Sequence, residues 1–279
     1  TAFCQAKGGF ASFCHCIRSN YMATKVFAIH CHPDDIEFNM AGTMFLLKDA
    51  GCELHYMNIS SGYLGSTEMP PEKTAEVRKK EAQNAAAFLG AAFHECVAHD
   101  LEIFYNAENI KKVAAVIRQV EPDILLLASP QDYMEDHMMA CRIAVTAAFG
   151  RCIPFMETVP PTKATMKDVV LYHCMPHGLR DMLRNTIVPD FAVDITSVIE
   201  KKAEMLAFHE SQKKWLDETQ GFDSYLDSMK EICANMGKMT GEFQYAEGWR
   251  RHLHLGYSSR EIDPLRDLLK DYIKDMHPE

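Results

Sequence analysis

From Lys25 to Gly150, short apolar runs alternate with longer segments whose apolar positions recur at helical spacing. The runs Lys25–Cys31, Cys52–Ile59, Ala92–Ala98 and Asp123–Ala128 read as strands. Between them, Asn39–Ala50, Pro71–Leu89, Asn106–Val120 and Met134–Phe149 read as helices. Pro71 near its start and Gly90 just past its end delimit the second helix. Ile124-Leu125-Leu126-Leu127 is apolar at both parities, as expected of a strand buried on both faces. Strand and helix alternating in this way predict right-handed β-α-β units and an α/β fold, with a mostly parallel sheet and helices on both faces. Ligands bind such sheets outside the carboxyl ends of the strands, which directs attention to the loops after Ile29 and Leu127.

The second half is less regular. Val169–Cys174 and Phe191–Asp194 read as further strands, and Ser197–Gln212 as a helix with Asp194 or Thr196 near its cap. A polar, Met-rich tail with helices from Leu226 onward is expected to pack on the sheet and wall the site. Residues 1–21 lack apolar periodicity, carry three of the ten cysteines and stop just before Met22. They read as a leader, an expression remnant or a misplaced start, with a native N-terminal arm as the competing reading. Residues 22–279 are expected to form one catalytic domain.

Composition narrows the function classes. With 279 residues and 47% hydrophobic content, the chain can bury a sizeable core. The formal charge of −10, with no Lys/Arg run, argues against affinity for nucleic acid. No apolar stretch approaches the roughly 18 residues of a membrane span. The ten cysteines are scattered without the spacing of a disulfide framework, so they are expected to be reduced and mostly buried, as in the cytoplasm.

The two loops singled out by the sheet rule both carry metal-type donors. His30-Cys31-His32-Pro33-Asp34-Asp35 follows the first strand, and Ser129-Pro130-Gln131-Asp132-Tyr133-Met134-Glu135-Asp136-His137 follows the fourth. Two imidazoles and a carboxylate, with one position left for water, make a catalytic rather than a structural zinc site. Asp34 and Asp35 are adjacent and point in different directions. One is available to bind metal while the other takes a proton from the water that the metal acidifies.

His32-Pro33-Asp34-Asp35 followed by Ala41-Gly42-Thr43 resembles the signature of the PIG-L/LmbE-like deacetylases. The resemblance continues through Ser61-Gly62 with Gly65, Arg78-x-x-Glu81, Leu89-Gly90 and Asp136-His137. Further on come Asp194-Ile195-Thr196, Lys202, His209-x-Ser211-Gln212 and Tyr245-Ala246-Glu247-Gly248. It implies a Rossmann-like three-layer sandwich and a Zn2+ site, or an Fe2+ site, made by His32, Asp35 and His137. It also implies Asp34 as the general base that later protonates the leaving amine, and Arg78 near the substrate. The implied substrate is a small molecule, an N-acetylglucosamine on an unspecified aglycone; relatives are often homo-oligomers, yet nothing in the sequence marks a pairing surface.

One departure stands out. Many relatives carry a histidine three residues before the last metal ligand, and this chain has Met134, which donates no hydrogen bond. Losing an oxyanion donor costs about 10²–10³ in rate, so a substitute is expected. Tyr133 is the first choice; His173 or His177 is the second.

Plainer readings accompany these assignments. Arg78 and Glu81, spaced i, i+3 beside Lys79 and Lys80, also read as a surface ion pair. His209 and Gln212 either shape the pocket or satisfy buried polar groups. His30 reads as structural, His252 and His254 as part of a surface or interface strand, and Met134, Met138 and Met139 as gap-filling wall. An amidase or esterase acting on another conjugate would use the same metal site. A non-catalytic sugar- or nucleotide-binding protein is disfavoured by the lack of a G-x-G-x-x-G after the first strand.

Overall fold

A computed structural model describes residues 23–213 and 225–276. The expectation for residues 1–21 lies outside the described residues. One eight-stranded sheet organises the rest: β1 (Lys25–His30), β2 (Glu53–Asn58), β3 (Ala92–His94), β4 (Ile124–Leu127), β5 (Val170–Cys174), β6 (Phe191–Asp194), β7 (Ala246–Arg251) and β8 (Ile273–Asp275). Their order across the sheet is β3-β2-β1-β4-β5-β7-β6-β8. The first five run parallel, whereas β7 joins β5 and β6 antiparallel and β8 joins β6 antiparallel. The outcome is the α/β, Rossmann-like fold with a mostly parallel sheet.

Alternation along the strands builds a core on each face. Val26 and Ala28 of β1, with Ile124 and Leu126 of β4, face helices α2 (Ala41–Asp49) and α3 (Pro71–Leu89). Phe27, Ile29, Leu125 and Leu127 face α4 (Ala107–Val120) and α5 (Glu135–Gly150) on the other side. A strand with both parities buried has no polar face to present, as the Ile124–Leu127 run foretold.

Several boundaries differ from the sequence reading. A short helix, α1 (Asp35–Asn39), precedes α2 directly after the His32–Asp35 loop. The strand expected over Ala92–Ala98 ends at His94, although Ala98 still bridges to Ser60. The helix expected over Ser197–Gln212 is broken at 207–209, between α6 (Ile199–Leu206) and a helical turn that resumes at 210. The tail expected to be helical contains α7 (Tyr225–Thr240) and the short α8 (Pro264–Leu268), but also β7 and β8.

Strand β7 is polar because it carries a buried connection to the first loop. Glu247 accepts the Gly42 and Thr43 N–H groups at 2.9 and 2.7 Å, capping the positive end of α2, and it pairs with the buried Lys202 of α6. Trp249, fully buried, donates to Thr43 Oγ1 at 3.0 Å. The antiparallel half of the sheet thus holds the helix that follows the His-Pro-Asp-Asp loop.

Candidate active site

The loops leaving the carboxyl ends of β1, β2, β3 and β4 surround a cavity of about 520 Å³, within the usual size range of small-ligand pockets. Its floor gathers His32, Asp35 and His137. The Asp35 Oδ2 atom lies 3.4 Å from both His32 Nδ1 and His137 Nε2, and it accepts the His32 N–H at 2.7 Å. Cys31 joins them, so the four residues place donor atoms within 4.8 Å of one another. Each imidazole presents its second nitrogen to a carboxylate: His32 Nε2 lies 3.4 Å from Asp136 Oδ2, and His137 Nδ1 lies 3.1 Å from Asp132 Oδ1. Metal-binding histidines are oriented in this manner, so the donor set fits a divalent ion.

The electrostatics agree with that fit. Burial alone would raise the Asp35 carboxyl, yet the imidazoles of His137, His30 and His32 hold it well below the usual carboxylate range. Burial disfavours charge on His32 and His137, but Cys31, then Asp136 and Asp35, push His32 upward, and Asp35 and Asp132 push His137 upward. Burial also pushes the Cys31 thiol up to about 12, so it is a neutral S–H. Its Sγ sits 3.6 Å from His32 Nε2, on the edge of the ring turned toward Asp136 rather than the edge turned toward Asp35.

Asp34 faces the cavity instead of joining its neighbour. Its φ of 112° is in the left-handed region rarely adopted by residues other than glycine, and this turn separates two consecutive carboxylates. Tyr225 donates to Asp34 Oδ2 at 2.5 Å, and Arg78 Nη2 lies 3.5 Å from Oδ1. Burial raises the Asp34 pKa, with Arg78 opposing that rise.

Arg78 is itself buried and donates to the Gly62 carbonyl at 3.2 Å and to the Pro33 carbonyl. It therefore does not form the surface pair with Glu81, which instead accepts from Ser211 N and Oγ at 2.9 and 2.6 Å. A Cβ at Gly62 or Gly65 would sit 2.7 or 2.5 Å from the guanidinium, so glycine is required at both positions by close approach.

Tyr133 and His177 line the cavity, their rings 5.8 Å apart. Tyr133 is more than half exposed as a residue, but partial desolvation of its phenol, with Asp35 and Asp132 nearby, raises it, so it stays protonated. Burial lowers His177, leaving it neutral. Met134 also lines the cavity, where it precedes the first turn of α5.

Two expected pocket residues lie elsewhere. His173 is buried, its Nδ1 3.0 Å from the Ala128 carbonyl and its Nε2 2.9 Å from His252 Nδ1, leaving no nitrogen for a substrate. His209, fully buried behind the cavity wall, has its Nε2 3.1 Å from Glu37 Oε1. His30, read as structural, does touch the cluster, with Nδ1 3.0 Å from Asp35 Oδ2. The sequence reading missed the roles of Asp132 and Asp136. Their signal was present, since a ligand histidine calls for a carboxylate on its other nitrogen and both aspartates flank His137. Tyr225 carried no such signal, because it reaches Asp34 from 191 residues away.

Comparison with known proteins places this arrangement. Residues 27–149 match the profile of the GlcNAc-PI de-N-acetylase (PIG-L) family. Over 233 residues the chain is 30% identical to the diacetylchitobiose deacetylase of Thermococcus kodakarensis, covering 81% of this chain and 82% of that one. The chain belongs to the PIG-L/LmbE-like deacetylase family. PIG-L family relatives are not uniform in activity, however. The 4-oxalmesaconate hydratase of Pseudomonas putida is 28% identical over 199 residues, covering 67% of this chain and 75% of that one. Among solved structures, a 4-carboxy-2-hydroxymuconate hydratase from Pseudomonas putida superposes with TM-score 0.69 at 21% identity, covering 86% of this chain and 98% of that one. The N,N'-diacetylchitobiose deacetylase of Pyrococcus horikoshii superposes with TM-score 0.68 at 24% identity, covering 88% and 89%. Both share the PIG-L/LmbE-like fold. Among the described residues no helix is long and apolar enough to cross a membrane.

Proposed function

We propose that this PIG-L family enzyme hydrolyses the N-acetyl group of an N-acetylglucosamine-type amino sugar or its conjugate, with Asp34 as general base. The observation that carries the reading is the division of labour between adjacent aspartates: Asp35 among the imidazoles, Asp34 turned into the cavity by its left-handed backbone. His32, Asp35 and His137 are the residues that would hold Zn2+ or Fe2+, with Cys31 behind the His32 ring. Such an ion supplies Lewis acidity to the amide carbonyl and acidifies water.

The chain's own groups supply the rest. Asp34, its carboxylate fixed by Tyr225 and Arg78 and its pKa raised by burial, takes the proton of the attacking water and passes it to the departing amine. The protonated phenol of Tyr133 donates to the oxyanion of the tetrahedral adduct, in place of the donor that Met134 lacks. His177, neutral and across from Tyr133, helps to seat the sugar.

Hydration of a polycarboxylate is the second reading, since relatives named for it match this chain. The charge of the cavity lining weighs against it. Arg78 is the one Lys or Arg among the described lining residues, against Asp34, Asp35, Asp100 and Glu135. A neutral acetamide suits that lining better than a substrate with several carboxylates. The free thiols buried at Cys31, Cys141, Cys174 and Cys233 support a reducing, cytoplasmic setting.

Amine release from methyl N-acetylglucosaminide, measured with zinc content, tests the reading. Asp34→Asn is expected to keep its zinc and lose about 10²–10⁴ in kcat; Tyr133→Phe is expected to lose about 10²–10³. A zinc-loaded wild type that is inert on amino sugars but hydrates 4-oxalmesaconate would replace the deacetylase reading with the second.

A further inference from the structure

We infer that the amino sugar accepted here is carried on an apolar aglycone, an alkyl or aryl group rather than a second sugar or a phosphorylated one. The inference rests on the deacetylase reading and concerns the mouth of the same cavity. Three separate loops each place one large apolar side chain on that mouth and leave it in solvent: Leu64 after β2, Leu101 after β3 and Tyr133 after β4, exposed by 42%, 66% and 57%. Scattered surface leucines need no explanation, but three converging on one opening mark a binding surface.

These residues are held in place by the site itself. Asp100, which lines the cavity, accepts the Leu64 N–H at 2.9 Å and the Gly62 N–H at 2.8 Å. Asp136, the carboxylate behind His32, accepts the Leu101 N–H at 2.8 Å. Leu101 has φ 61°, a left-handed backbone that Asn or Gly adopts more readily than a branched residue. The fold thus keeps an apolar side chain, in a disfavoured backbone conformation, on the rim next to the Asp35 cluster. In an N-acetylglucosaminide the acetamide on C2 and the aglycone on C1 are on neighbouring carbons. With the acetamide over Asp34 and Asp35, the aglycone leaves through this mouth, which among the described residues offers it apolar surface, the exposed carboxylate of Glu135 and no cation besides Arg78.

The test compares kcat/KM for hexyl, phenyl and methyl N-acetyl-β-glucosaminides and for diacetylchitobiose, using the zinc-loaded full chain. Hexyl or phenyl is expected to exceed methyl on the order of tenfold or more, mainly through KM. Leu101→Asn, which tolerates the left-handed backbone and keeps the N–H to Asp136, and separately Leu64→Gln, are expected to reduce the hexyl-to-methyl ratio to within about threefold. Because the readout is a ratio within each variant, partial misfolding does not disturb it. Equal rates on all four substrates, or a preference for diacetylchitobiose, overturn the apolar aglycone and leave the deacetylase reading standing. No amine release from any of them overturns that reading and this inference together. A wild-type dimer that Leu101→Asn converts to monomer identifies the mouth as a contact between copies of the chain, and overturns the inference too.

Discussion

His32 and His137 are each backed by a carboxylate, whereas the buried His173 is backed by the half-buried His252, and the two histidine pairs behave oppositely for that reason. In the first pair, Asp136 and Asp132 sit on the nitrogens turned away from the cavity, and Asp35 sits between the nitrogens turned toward it. Those carboxylates, together with Cys31 beside His32, outweigh burial and raise both histidines. In the second pair, no carboxylate compensates burial. His173 is pushed down to about 4 by desolvation, then by His252 and Arg250, and His252 is lowered by burial too. One pair is built to carry positive charge nearby, a proton or a metal ion; the other is a neutral hydrogen-bonded post under the Ala128 carbonyl, at the root of the loop that bears Asp132 and Tyr133. Imidazole alone therefore says little about function, and the group on its second nitrogen decides.

The largest effect expected from this contrast is on acid stability. His173 has a folded pKa of about 4 against an ordinary 6.5, so below pH 6.5 the unfolded chain binds a proton that the folded chain refuses. Its stabilising contribution is present above pH 6.5 and is lost as pH falls toward 4, on the order of 3 kcal/mol for this one group. His173→Gln should lower stability at pH 7 and flatten the decline between pH 6.5 and 4 in urea melts. A stability difference between wild type and variant that stays constant over that range would break the comparison.

A smaller effect is expected at the carboxylate behind His137. Asp132→Asn keeps the shape and removes the charge, and should weaken zinc binding about 10- to 100-fold in chelator competition. Asp132 Oδ1 also accepts the Met134 N–H at 3.1 Å, so Asp136→Asn, acting on His32, serves as the independent check. Unchanged zinc affinity in both would show that the carboxylates only pack the loop. On zinc the smallest effect is expected at His252: His252→Leu should leave zinc content unaltered while costing stability, about 1–3 kcal/mol, by stranding His173 Nε2. A loss of metal in that variant would mean that the two histidine pairs are coupled.

Periodicity alone disclosed the parallel half of the fold. The runs that became β1, β2 and β4 are apolar enough to be buried whatever surrounds them, and α3 begins at Pro71 and ends before Gly90, whose φ is 79°. Strands β7 and β8 were illegible because their side chains answer to partners in other elements: Glu247 to Gly42, Thr43 and Lys202, and Lys274 of β8 to Glu242. A polar strand such as β7, buried by such pairings, has the composition of a surface helix. The candidate cluster was legible because its donors crowd two short loops, each following a recognisable strand.

The chain's own order of residues determined that His32, Asp34 and Asp35 share one loop and His137 another, and that both loops end parallel strands, since local spacing and strand burial are written in neighbouring residues. Only the tertiary structure decided which histidines are free for chemistry. It set Asp136 and Asp132 behind one pair, sent His173 and His209 into private contacts, and brought Tyr225 to Asp34 across most of the chain. The physical reason is that a side chain's charge and availability depend on its desolvation and on the partner facing its second polar atom, and those partners are chosen by packing rather than by sequence neighbourhood.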